Sequence, residues 1–164
     1  MKKLVVLILM GALAVAACGS SSSSGGPKAA GTNSAGIPCG AGTSNGASSI
    51  TFCGSAKATV KMGSKSFVVS DGKCTYDKSV GFHMDLGTSL DAAVASSSTA
   101  SPSYFGVLSY PGGATIARGV IGGQDFLLND GDPGTKVTLS ADHKSGSASG
   151  KLSDGSALTA SWAC

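Results

Sequence analysis

Glutamate is absent from this 164-residue chain, and its nine acidic residues are all aspartates. Charged residues of both signs together make up only 13% of it. No segment is rich in the Glu, Lys and Leu that favour helices, so a helical domain has little to be built from. The one long apolar run, Leu4 to Ala17, is shorter than the roughly 20 residues that span a bilayer. Two histidines, His83 and His143, are all the chain offers for imidazole chemistry. No Cys-x-x-Cys pair exists and neither histidine adjoins a cysteine, so the ligand spacing of a zinc site is missing. The phosphate-cradling Walker pattern is absent. No Gly-x-Ser-x-Gly sits at a strand-to-helix turn, where a nucleophilic serine would be presented.

Glycine, serine and a patterned N-terminus take the place of what is missing. Lys2 and Lys3 precede the apolar run, and Val15-Ala16-Ala17 supplies the small residues that signal peptidases accept, the layout of a secretory leader over residues 1–17. Residues 19–36 then hold 11 Gly or Ser among 18, with no apolar periodicity. Such a segment is a flexible tether, roughly 25 Å from end to end between Gly19 and Pro38. Residues 37–50 continue in turn formers, so the tether is expected to extend over 18–50 and the folded domain over 51–164. Of the 12 basic residues, Lys2 and Lys3 leave with the leader, so 10 remain against nine aspartates and the mature charge is close to +1. No basic field is left to attract nucleic acid.

Val15-Ala16-Ala17-Cys18 resembles the lipobox of bacterial lipoproteins. The resemblance implies that Cys18 carries a diacylglycerol thioether, that cleavage falls between Ala17 and Cys18, and that the new N-terminus is acylated, commonly by palmitate. Two or three acyl chains anchor durably where one does not. The implied location is the cell membrane or outer membrane, with the domain facing the periplasm or the exterior.

Four further cysteines, Cys39, Cys53, Cys74 and Cys164, lie in the exported part. Four thiols in an oxidising compartment imply two disulfides with three possible connectivities. Cys39–Cys53 with Cys74–Cys164 is the favoured set. The first bridge closes a local loop at the end of the tether, and the second ties an early strand to the chain end.

All nine aromatics fall between Phe52 and Trp162, which places the core there. Strands are expected at 50–53, at 58–62 with Ala58, Val60 and Met62 on one face, and at 66–70. Asp71-Gly72 reads as a hairpin turn. Residues 73–77 follow with Cys74 and Tyr76 inward, then 80–86 with Val80, Phe82, Met84 and Leu86 inward and His83 on the opposite, solvent face. Residues 88–101 form a long loop with a possible helical turn, stopped by Ser96–Thr99 and Pro102. Strands resume at 104–109, 114–120, 125–128, 136–141, 145–152 and 157–164, the last with Leu158, Ala160, Trp162 and Cys164 on one face. The expected fold is therefore all-β, an antiparallel sandwich or open barrel of about eight strands.

In plan, the chain also resembles the small secreted lipoprotein antigens of mycobacteria. The matching pieces are Gly63-Ser64-Lys65-Ser66-Phe67-Val68-Val69 leading to Cys74, and the Gly/Ser-rich terminal strand pair ending Ala160-Ser161-Trp162-Ala163-Cys164. Cys39 and Cys53 have no counterpart in that pattern. The resemblance implies a surface-exposed antigen or adhesion-type role, in a family with no agreed enzymatic activity.

The remaining constellations have simpler readings. His83 and His143 lack a positioned serine and acid in the sequence pattern. Asn129, Asp130 and Asp132 lack the spacing and the distant bidentate glutamate of an EF-hand and read as turn chemistry. Arg118, Gly119, Gly122 and Gly123 read as a β-turn, not a phosphate loop. Met62, Phe67, Phe82, Met84, Phe105, Phe126 and Trp162 are expected to form the core. Were they instead to line a cavity, the domain would bind a small hydrophobic or lipidic ligand. The expectation is a non-enzymatic envelope lipoprotein without metal or cofactor. It would be held to the membrane by Cys18 and meet an envelope or protein partner through loops such as 88–103 and 129–134.

Overall fold

The computed structural model describes residues 31–44, 47–90 and 103–164. Residues 1–30, which hold the expected leader, Cys18 and most of the expected tether, and residues 45–46 and 91–102 lie outside the described residues. Among the described residues twelve strands follow one another: β1 (Gly40–Ser44), β2 (Ala47–Thr51), β3 (Lys57–Met62), β4 (Lys65–Ser70), β5 (Gly72–Asp77), β6 (Gly81–Leu90), β7 (Tyr104–Ser109), β8 (Thr115–Ile121), β9 (Gln124–Asn129), β10 (Lys136–Leu139), β11 (Ser145–Lys151) and β12 (Ala157–Ala163). All pairings are antiparallel.

Two sheets result. One runs β10-β11-β12-β3-β4; the other runs β1-β2-β6-β7-β8-β9, with β5 also paired to β6. β6 is long enough for two partners in turn: Gly81–Leu86 pair with β5, and Thr88–Leu90 with β2. The fold is the expected antiparallel β-sandwich, with twelve strands in place of about eight. Alternation decides which side of each strand is buried. Ala58, Val60 and Met62 of β3 and Leu158, Ala160 and Trp162 of β12 face Phe82, Met84 and Leu86 of β6, Phe105 and Val107 of β7, and Phe126 and Leu128 of β9 in one core. The aromatic and methionine side chains that a ligand cavity would need are thus packed together between the sheets. Trp162 fits only because Gly146, its partner on β11, has no side chain: a Cβ there would stand 2.3 Å from the indole.

The cysteines pair as Cys39–Cys53 and Cys74–Cys164, with Cα–Cα separations of 5.8 and 5.6 Å. The first bridge closes the base of the β1–β2 hairpin. The second joins β5 in one sheet to the end of β12 in the other.

Four expectations need correction. The tether does not reach residue 50, because Gly40–Thr51 already form a hairpin added to the edge of the larger sheet through backbone bonds. Residues 31–39 are also shaped: Asn33 Oδ1 accepts hydrogen bonds from the amides of Ala35 and Ile37, and Ser34 donates from its amide and hydroxyl to Asp71. Asp71-Gly72 is not a hairpin. Asp71 takes a left-handed conformation, φ 66°, where the chain leaves β4 in one sheet for β5 in the other. Tyr76 and Val80 are not core residues, being 51% and 63% exposed. Asp77 Oδ1 caps the β5–β6 turn by accepting from the amides of Ser79 and Val80, which takes Val80 out of the strand. Tyr76 lies at the sandwich end, its ring stacked on His143 at 3.8 Å. Finally, Thr88–Leu90 belong to β6, so the loop begins later than expected.

Candidate functional site

With Phe82, Met84 and Leu86 turned into the core, β6 must present His83 and Asp85 on its outer face. Register then sets their company. Asp85 lies opposite Gly106 on β7, and Gly106 opposite Arg118 on β8. Gly106 leaves a gap that the ring of Tyr104 fills: a Cβ there would come within 2.3 Å of the phenol oxygen. A lone glycine inside a strand marks this kind of close approach.

The Tyr104 hydroxyl donates to Asp85 Oδ1 at 2.6 Å, and His83 Nε2 meets Asp85 Oδ2 at 2.7 Å. The Arg118 guanidinium stands 5.9 Å from the Tyr104 ring centroid, within cation–π range. Phe52 packs on the ring from another side, at 6.1 Å between centroids. Burial, reinforced by the bond to Asp85 and its charge, pushes the Tyr104 phenol up to about 12, although Arg118 pulls the other way. The phenol is therefore a fixed donor at neutral pH. Both Asp85 oxygens are engaged, so the carboxylate serves to hold His83 and Tyr104 in place. Leu127, 67% exposed, continues the row beyond Arg118. The result is a surface of His83, Arg118 and Leu127 built around a buried, bonded Tyr104.

His83 is on the outer face as expected, with its side chain 48% exposed. The bonds of the cluster join His83, Asp85 and Tyr104, with no serine hydroxyl among them. His143 is elsewhere, stacked on Tyr76 beside the Cys74–Cys164 bridge. The 129–134 segment follows turn chemistry: Asp132 and Asn129 bond through their backbones, and Asp130 Oδ1 accepts from the Val137 amide. Among the described residues, no group of three His, Cys, Asp or Glu side chains is placed to hold a metal. Gly122 and Gly123 form the two-residue β8–β9 turn, both with positive φ. A shallow cleft of about 480 Å³ opens beside Gly42, Ser49, Ile50 and Leu90, away from the His83 cluster.

Alternation alone puts His83 and Asp85 on one outward face. Their meeting with Tyr104 and Arg118 depends on cross-strand register, for which Gly106 is the one visible cue in the sequence. Comparison of the chain with known protein families and with curated proteins, and of the fold with solved structures, finds no match.

Proposed function

We propose that this chain is a membrane-anchored envelope lipoprotein whose β-sandwich acts as a non-enzymatic interaction module. The observation that carries the reading is how the cysteines are used. Cys39, Cys53, Cys74 and Cys164 are consumed in two disulfides, as suits an exported domain. Cys18, at the lipobox-like junction, is then the one thiol left for a lipid. The Gly/Ser tether lifts the domain from the membrane, and the sandwich starts where the tether ends. The plan shared with mycobacterial lipoprotein antigens supports the same surface role.

The outer face of the larger sheet is the contact surface for a protein partner. Arg118 is exposed and of a type enriched in protein interfaces, the exposed Leu127 adds apolar area beside it, and the buried Tyr104, bonded to Asp85, supports the face from beneath. Fractionation of cells that carry Cys18→Ala tests the anchoring. The wild-type protein is expected in the membrane fraction and the variant in the soluble or secreted fraction. Equal membrane association of both would overturn it.

A further inference from the structure

The five-stranded sheet turns a different surface outward. Its register lines up two rows across all five strands. One row reads Lys136, Ser149, Thr159, Lys61 and Ser66. The next reads Thr138, Ser147, Ser161, Thr59 and Val68. Seven of these ten positions are hydroxyls and two are lysines. Nine of the ten are exposed, and Thr59 is partly covered by its neighbours. Lys57 and Lys151 flank the rows. No aspartate occurs in β3, β4, β10, β11 or β12. The sheet's two aromatics, Phe67 and Trp162, both pack toward the core.

The chemistry of this face narrows its partner. A protein interface draws on aromatics, Met and Arg, while Lys and Ser are depleted there; this face has the reverse composition. Single-stranded nucleic acid needs stacking aromatics, and none faces outward. What remains is a grid of short groups that both donate and accept hydrogen bonds, repeating about every 4.8 Å across the strands. Thr138 and Ser147 already bond to each other at 3.0 Å. Four uncompensated ammonium groups surround the grid. Hydroxyls match a polyol, and lysines without acids match its negative charges.

We propose that the outer face of the five-stranded sheet binds an anionic polysaccharide, a hydroxyl-rich chain bearing carboxylate or phosphate groups. The proposal names the partner of one face of the exported module and rests on that module being exported. It does not rest on the lipid.

The test uses the mature, disulfide-bonded protein and three immobilised probes: polygalacturonate, neutral dextran and polyglutamate. Polygalacturonate is expected to bind at least about tenfold tighter than either of the others, with affinity falling as salt rises. Lys61→Glu/Lys136→Glu is expected to weaken that binding by about tenfold or more. Ser147→Val/Ser161→Val, which keeps every charge, is expected to weaken polygalacturonate binding several-fold while leaving polyglutamate binding as it was. Lys73→Glu, on the other sheet, is expected to change nothing. No binding, equal binding of dextran, or indifference to the lysine reversal overturns the proposal. Equal binding of polyglutamate overturns it in favour of an acidic protein partner. A soluble Cys18→Ala protein that still binds polygalacturonate would separate this surface from the anchor. A membrane-bound protein that ignores the glycan would retain the anchor and reject the surface.

Discussion

The outer face of the five-stranded sheet has lysines, hydroxyls and no carboxylate. The outer face of the larger sheet has His83, Asp85, Tyr104 and Arg118 in contact with one another. Both faces arise from the same alternation around one shared core, so burial does not distinguish them. The difference lies in the gaps. On β11, glycines fall on the inner side, where Gly146 makes room for Trp162, and the outer side carries serine hydroxyls. On β7, Gly106 falls on the outer side and lets a large ring lie down across the sheet to reach Asp85. One face is an exposed grid of hydroxyls and lysines with one cross-strand hydroxyl bond, Thr138 to Ser147. The other is a locked cluster. A sandwich can thus carry two surfaces of different chemistry without altering its core.

Separating the sheets would remove this relation altogether, and Cys74–Cys164 is the disulfide that joins them. Its cysteines are 90 positions apart, against 14 for Cys39–Cys53. Loop-closure entropy makes the longer link worth about 4.5 kcal/mol and the shorter about 3 kcal/mol. Cys74→Ala/Cys164→Ala is therefore expected to lower the denaturation midpoint more than Cys39→Ala/Cys53→Ala, as read by urea titration followed through Trp162 fluorescence. Equal losses would mean that the inter-sheet link is not the dominant constraint.

The two glycines sharpen the contrast. Gly146→Ala drives a methyl into a buried indole and is expected to cost about 3 kcal/mol, the upper part of the range for overpacking. Gly106→Ala pushes on the phenol end of the buried Tyr104 ring, which lies outside the inter-sheet core, and is expected to cost about 1 kcal/mol. The same urea titration reads both, and a larger loss at Gly106 would show that the outer cluster is as tightly packed as the core.

Tyr104→Phe removes the bond to Asp85 and is expected to cost about 1.5 kcal/mol at neutral pH, the lower end for a hydrogen bond to a charged group. The sign of its pH dependence is fixed. The folded phenol ionises at about 12, above its ordinary 10.0. Its contribution is therefore complete below pH 10.0 and declines as pH rises toward 12. The gap between wild type and Tyr104→Phe should close over that interval, and a gap independent of pH would contradict the cluster. The smallest effect belongs to the hydroxyl grid. Ser147→Val/Ser161→Val should change stability by no more than about 0.5 kcal/mol, since both residues are exposed.

Much of the sandwich is legible in the chain because its core strands alternate cleanly. Ala58-Val60-Met62 and Leu158-Ala160-Trp162 declare their inner faces, and Gly122-Gly123 declares its turn. The cysteine pairing is the one of three connectivities that loop logic favours, and the structure has it. Gly40–Thr51 escapes detection because glycine, serine and alanine join a sheet through backbone bonds, with no apolar stripe to announce it. Asp71-Gly72 signals a positive φ correctly, but local sequence does not say whether the next strand pairs with the last or crosses to another sheet. Tyr104 and Asp85 are 19 positions apart, and the two hydroxyl rows draw on five strands. Both faces are products of register, which is settled by the packing of the whole.

The most direct measurement of the account is the intact mass of the mature protein, taken before and after reduction. The expected result is a chain beginning at Cys18, heavier than its residues by the mass of the acyl chains, and a gain of four hydrogens on reduction, two per disulfide. A mass without lipid, with no change on reduction, would contradict both the anchor and the exported sandwich.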